Sequence, residues 1–203
     1  KKFIAIQNGY RTEPKKTFLI KKKDKLKCDI IFCFGKQGID YYKSFINVGK
    51  VIPIGSIKNN LIPQKKIKQK NVMTYISEYR DYDENKKINL QNLGKIYWKD
   101  FILPEKKIIK IANEYCKKKK IKFYIMGRNK NPEIEKNYFK SIIGEKDLNY
   151  IKKRNILSSY RFLLRSKIIL SISSSLGYEF LSRNNKMIFF SRQILKKNSL
   201  LSR

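Results

Sequence analysis

Short apolar runs, separated by amphipathic stretches and polar turns, organise this 203-residue chain. Phe3 to Ile6 is expected to form a short buried strand ending at Gln7-Asn8-Gly9, followed by a lysine-rich linker around Pro14. Cys28 to Phe34 predicts a second strand, stopped by Gly35. Residues 37–46 predict a short helix with Ile39, Tyr42, Phe45 and Ile46 facing inward, and Val51 to Ile54 a third strand ending at Gly55-Ser56. Between Asn59 and Asn71 the chain is polar and basic, with Pro63 in the middle, the composition of a domain boundary.

From Val72 the alternation becomes more regular. Val72 to Ser77 predicts a strand with Glu78-Tyr79-Arg80 at its carboxyl end, and a polar excursion from Asp81 to Leu103 holds the chain's one tryptophan, Trp98. Pro104 and Glu105 are expected to open a helix, proline in the first turn and a carboxylate near the positive end of the dipole. Ile108, Ile109, Ala112, Tyr115 and Cys116 then repeat at the spacing of one buried helical face, and Lys117 to Lys120 close it. Phe123 to Met126 predicts a strand stopping at Gly127-Arg128, and residues 133–143 and 158–164 predict amphipathic helices. The apolar run Ile168 to Ile172 meets Ser173-Ser174-Ser175, a helix carrying Gly177 and Glu179, and a last apolar run from Met187 to Phe190. Short apolar strands alternating with helices predict an α/β fold whose parallel sheet is covered on both faces.

The serine turn is the strongest local signal. One serine suffices to cap a helix, at about 1 kcal/mol, whereas three consecutive hydroxyls beside free backbone N–H groups suit a phosphate or a polar sugar. Gly177 in the first turn of that helix costs propensity, which points to close approach by a ligand or a neighbouring strand. Glu179, one turn beyond Ser175, could complete a cap or meet ribose hydroxyls. Gly127 and Arg128 end a strand of the same sheet edge, where an arginine can neutralise a diphosphate leaving group. Gln7, Asn8, Gly9 and Arg11 follow the first strand. Glu78, Arg80 and Asp81 follow the strand that opens the second half, and either carboxylate there is a candidate general base.

Charge changes this picture less than its size suggests. The formal charge is +32, but it is carried by 39 Lys and only 9 Arg, and arginine is the better residue for bidentate contacts to phosphate or guanine. The runs Lys65–Lys70 and Lys117–Lys120 lack the interleaved aromatics of a single-strand nucleic-acid surface. The lysines therefore read as a solvated face that favours anionic partners. With no His, and with Cys28, Cys33 and Cys116 in no CxxC pair, neither a zinc site nor a Ser-His-Asp or Cys-His nucleophile is expected. No apolar stretch approaches the ~20 residues that span a bilayer. Lys1-Lys2 precede too short an apolar run for a signal-peptide core. The chain starts directly in a strand-like run, which reads as one piece of a larger protein.

Six segments, in order, carry a family resemblance: Phe-Ile-Ala-Ile-Gln-Asn-Gly (3–9), Asp-Ile-Ile-Phe-Cys-Phe-Gly (29–35), Ile-Pro-Ile-Gly-Ser-Ile-Lys-Asn-Asn (52–60), Ile-Ser-Glu-Tyr-Arg (76–80), Ile-Met-Gly-Arg (125–128) and Ser-Ser-Ser-Leu-Gly-Tyr-Glu (173–179). The chain resembles bacterial surface-polysaccharide (O-antigen type) biosynthesis transferases, which are similar in turn to GT-B glycosyltransferases and polyol-phosphate transferases. The resemblance implies two facing Rossmann-like domains. Residues 1–60 would be the C-terminal part of the acceptor-side domain, 61–71 a linker, and 72–203 the nucleotide-donor-binding domain. It implies a transferase moving a glycosyl or polyol-phosphate group from a nucleotide-activated donor to a polysaccharide or lipid-linked acceptor, with no separate cofactor and no metal. Gly127, Arg128, Ser173, Ser174, Ser175, Gly177 and Glu179 would hold the donor, and Gln7, Asn8, Gly9 and Arg11 would line the acceptor side. Related transferases often carry His where Asn8 stands, and asparagine cannot act as a base near neutral pH. The expected location is cytoplasmic, at the inner face of the cell membrane. The competing expectation is a basic nucleic-acid-binding α/β protein without enzymatic activity, against which the shortage of arginine speaks.

Overall fold

The computed structural model describes residues 1–7, 26–63, 67–90, 94–128, 131–152, 155, 157–183 and 185–191, and the chain divides into two units, 1–65 and 66–203. In the first unit, strands β1 (Ile4–Ile6), β2 (Lys27–Cys33) and β3 (Asn47–Pro53) form a parallel sheet in the order β1-β2-β3. Helix α1 (Gln37–Phe45) connects β2 to β3, and Ile31, Cys33 and Tyr42 make the small core. A short helix α2 (Ile57–Asn60) follows, capped by Ser56, whose hydroxyl accepts from the Asn59 N–H. Two expectations change here. Phe3, Ile4 and Ile6 are 55–65% exposed rather than buried, because β1 is an edge strand with a single neighbour. Strand β3 begins four residues earlier than its apolar run, since ladder bonds to β2 carry it through Asn47 to Lys50, where only Val48 packs on the core.

Among the described residues the second unit has five parallel strands: β4 (Lys70–Ile76), β7 (Lys122–Met126), β8 (Tyr150–Ile151), β9 (Ser166–Ser171) and β10 (Lys186–Phe189). Their spatial order is β10-β9-β4-β7-β8. The chain thus runs outward from β4 through β7 and β8, then returns to the other side of β4 for β9 and β10. A hairpin, β5 (Lys87–Leu90) and β6 (Gly94–Tyr97), lies between β4 and helix α3 (Trp98–Lys118). Helices α4 (Pro132–Ile143), α5 (Ser158–Leu163) and α6 (Ser175–Leu181) complete the unit.

Strand alternation assigns the helices to the two faces. Met73, Tyr75, Phe123, Ile125 and Leu170 meet Ile109, Ala112 and Cys116 of α3 and Phe139, Ile142 and Ile143 of α4. Residues one position along point the other way. Tyr124 packs on Phe162 of α5 with ring centroids 5.2 Å apart, and Ser171 lies beneath Gly177 of α6. The sheet is covered on both faces, and the α/β class with parallel sheets is as the pattern predicted.

Helix α3 corrects the pattern at its start. It opens at Trp98, not at Pro104, which is its seventh residue. Proline cannot donate to the carbonyl one turn back, but the extra turn is held elsewhere. Trp98 and Ile102 are buried, and the Trp98 and Lys99 N–H groups, without partners inside the helix, donate to the carbonyls of Lys86 and Glu84 at 2.8 and 2.9 Å. Tyr115, placed by its spacing on the buried face, is 45% exposed, whereas Glu105 and Asn113 are buried.

A buried carboxylate fastens the carboxyl ends of β4 and β7 to the short strand β8. Glu135, in the first turn of α4, is fully buried. It accepts from the Ser77 hydroxyl just after β4, from the Arg128 N–H after β7 at 2.9 Å, and from the Tyr150 hydroxyl in β8 at 2.9 Å. A buried carboxyl is tolerated only when so bonded. Glu135→Ala, which orphans the Arg128 N–H and opens a cavity, is expected to lower stability by about 3 kcal/mol, and Glu135→Gln by less. Urea unfolding followed by far-UV circular dichroism measures both; a Glu135→Ala midpoint equal to the parent's would exclude the clamp.

Candidate functional site

Parallel α/β sheets bind ligands beyond the carboxyl ends of their strands, where the chain reverses direction across the sheet. Here that reversal falls between β4 and β9, and one residue spans it. Glu78, two residues past β4, accepts from the Ser173 N–H at 2.6 Å and from the Ser173 hydroxyl at 2.9 Å. The carboxylate therefore holds the serine turn at its first residue. Ser174 takes the N-cap position of α6 without a side-chain cap bond, and Ser175 opens the helix. Glu179 accepts from the Tyr160 hydroxyl of α5 at 2.6 Å.

Both glycines that the sequence marks at this edge answer to protein packing. A Cβ on Gly177 would lie 2.7 Å from the Ser171 hydroxyl and 3.2 Å from the Phe189 ring, so the close neighbour is strand β9 with β10. A Cβ on Gly127 would overlap the Tyr150 phenol. That phenol reaches Glu135 across the space a larger residue 127 would fill. Arg128 is exposed, its N–H held by Glu135. Ser171, at the end of β9, has a fully buried hydroxyl without a hydrogen-bond partner.

On the α3/α4 side of the same edge lies a pocket of about 90 Å³. Glu78, Tyr79, Arg80, Tyr82 and Glu84 line it from the segment after β4, Trp98, Ile102 and Glu105 from α3, and Tyr138 from α4. Tyr79 and Tyr138 pair with ring centroids 4.7 Å apart, and Tyr82 meets Trp98 edge-on at 5.0 Å. Glu105, 1% exposed, accepts from the Tyr75 hydroxyl at 2.5 Å. Glu84 pairs with Lys106 at 2.6 Å. Asp81 is exposed and accepts from the Tyr79 hydroxyl at 3.4 Å. The fold thus gathers two of the three catalytic candidates, Glu78 and Arg80, on one pocket wall.

Burial, with the nearby Asp81 and Glu135 carboxylates, pushes the Tyr79 phenol up to about 12. Burial and the bond to Glu135 also raise the Tyr150 phenol. Both remain proton donors through the neutral range. Burial likewise raises the Cys33 and Cys116 thiols, Cys116 to about 11, which keeps them unreactive.

In the first unit, Gln7 ends β1 and accepts from the Phe34 N–H at 3.0 Å, tying the ends of β1 and β2. Asn8, Gly9 and Arg11 lie outside the described residues, as does the segment around Pro14. Among the described residues no group of three or more His, Cys, Asp or Glu side chains could hold a metal ion, and no helix is long and apolar enough to cross a membrane. Sequence reasoning missed Trp98, Glu105 and Tyr138 as site residues. The available signal was a tryptophan, the largest apolar side chain, inside an otherwise polar stretch.

The fold and this edge define an α/β protein built on a parallel sheet that reverses at a pocket. Residues 4–199 match the family described as "putative O-antigen biosynthesis protein", and the chain belongs to that family. Comparisons with curated proteins and with solved structures gave no match.

The phenols supply a pH test. A phenol whose folded pKa is raised contributes stability that is fully present below the usual phenol range and is lost as pH rises through the folded value. Stability should therefore fall as pH climbs from the usual phenol range through about 12. The double variant Tyr79→Phe/Tyr150→Phe should show a shallower decline in urea midpoint over that window; parallel curves for parent and variant would reject the assignment.

Proposed function

We propose that the protein is a transferase of O-antigen biosynthesis, moving a glycosyl or polyol-phosphate group from a nucleotide-activated donor to a polysaccharide or lipid-linked acceptor. The observation that carries this reading is the reversal between β4 and β9. It brings Glu78 against Ser173, with Arg80 two residues further along the same loop and Arg128 following the next strand but one. In this reading Gly127, Arg128, Ser174, Ser175, Gly177 and Glu179 form the donor edge of a GT-B-like second domain. Ser173 is committed to Glu78, which makes Glu78 a positioning residue rather than the base. Asp81, exposed next to Tyr79, is then the carboxylate left for proton transfer.

The reaction is a displacement. An acceptor hydroxyl attacks the anomeric carbon, or the phosphorus of a polyol phosphate, and loses its proton to a base. The bond to the nucleotide's phosphate breaks, and the negative charge leaves with the nucleotide. Stabilising that charge is what Arg80, Arg128 and the N-terminal end of α6 would supply, since preorganised donors act where charge develops. Gln7, Asn8, Gly9 and Arg11 would serve the acceptor from the first unit. The lysine-rich surface would rest against an anionic membrane face without insertion.

Isothermal titration against a panel of nucleotide-activated donors tests the reading. At least one donor should bind, and Ser174→Ala combined with Arg128→Ala should weaken it about tenfold or more, roughly 1.4 kcal/mol. Silence across the panel, or unchanged affinity in the double variant, would discard it.

A further inference from the structure

We propose that the pocket between the end of β4, α3 and α4 is a binding site for an ammonium group on a small ligand, a primary or methylated amine. Its polar lining is unusual for this chain. Three carboxylates, Glu78, Glu84 and Glu105, converge there with three phenols and a single guanidinium, Arg80, in a protein with 48 basic and only 16 acidic residues. No amide or alcohol side chain takes part. Carboxylates only accept hydrogen bonds, and here three of them, already engaged by Ser173, Lys106 and Tyr75, stand against one guanidinium. An ammonium only donates, whereas a sugar hydroxyl must do both.

The aromatic rings point to the same chemistry. Two ring pairs, Tyr79 with Tyr138 and Tyr82 with Trp98, contribute the apolar walls, and a ring face attracts a cation, tryptophan most strongly. The protein's own lysines already respond to these walls. Lys106 holds its ammonium 2.6 Å from Glu84 and 5.6 Å from the Tyr138 ring centre, and Lys86 lies 4.0 Å from the Tyr82 ring centre. Lys106 is thus an internal competitor at the rim, seated as an external amine would be.

Size limits the ligand's buried part. Pockets that enclose a whole small molecule measure roughly 300–1,000 Å³, and this one is about 90 Å³. It takes one functional group, while the rest of the ligand lies toward the mouth. The site does not depend on the nucleotide-donor reading, because it needs neither a phosphate nor the serine turn.

Trp98 is the chain's single tryptophan, so its fluorescence reports on this pocket alone. The probes are glucosamine and choline, with glucose and N-acetylglucosamine as uncharged controls at matched ionic strength. Both amines should change the emission saturably, and the controls should bind at least about tenfold more weakly. Glu84→Gln, at an exposed rim position, should weaken amine binding several-fold. Lys106→Met, which removes the competitor, should tighten it. Equal binding of glucose and glucosamine, no saturable change with either amine, or weaker binding in Lys106→Met would each overturn the proposal. Nucleotide titrations on the same protein report separately on the donor site.

Discussion

The Glu135 carboxylate is the constraint on which the sheet's working edge depends. One fully buried side chain takes hydrogen bonds from the segments that follow β4 and β7 and from Tyr150 at the start of β8. Each donor belongs to a different stretch of chain, and leaving a buried carboxyl short of partners costs several kcal/mol. The three strand ends therefore hold a common position, and what lies beyond them is preorganised. Gly127 follows from this clamp, because the Tyr150 phenol needs the space beside it. So does the direction of the chain after Ser77, which leads directly into Glu78.

Glu78 extends the arrangement across the reversal to β9. A carboxylate and a serine N–H meet where the resemblance would put a donor phosphate, and the first N–H of the turn is already satisfied by the protein. The edge is thus stiff before any ligand arrives, which reduces the ordering cost of binding. On the α3/α4 side the same loop closes the aromatic pocket. The fold sets two chemically different surfaces side by side: a serine- and arginine-bearing edge and an acidic aromatic pocket.

Much of the fold was legible as pattern. The apolar runs at 28–34, 72–77, 123–126, 168–172 and 187–190 all lie on strands, and helices α1, α4 and α5 fall within a residue or two of their amphipathic stretches. The misses have physical causes. Strand β8 is two residues long and owes its place to pairing with β7, not to its own composition. The start of α3 depends on backbone acceptors at Glu84 and Lys86. Burial of β1 failed because an apolar run records what a strand can bury, while exposure records what lies next to it. Of the site, Glu78, Arg80 and Ser173 were readable as polar residues after apolar runs. Trp98, Glu105 and Tyr138 were not, since they come from helices and meet only through packing.

By itself the sequence determined the α/β class, the parallel strands and the polar segments that end them, because these depend on local periodicity and on where apolar runs stop. Only the tertiary structure decided which strand ends are neighbours, since β4 meets β9 across almost a hundred residues. It also decided that Glu135 faces inward when an acidic residue in a helix's first turn would ordinarily face water. Gly127 and Gly177, open in the sequence to either a ligand or a strand, are claimed by the Tyr150 ring and by strand β9. Steric room is a property of neighbours distant in sequence, and no local pattern records it.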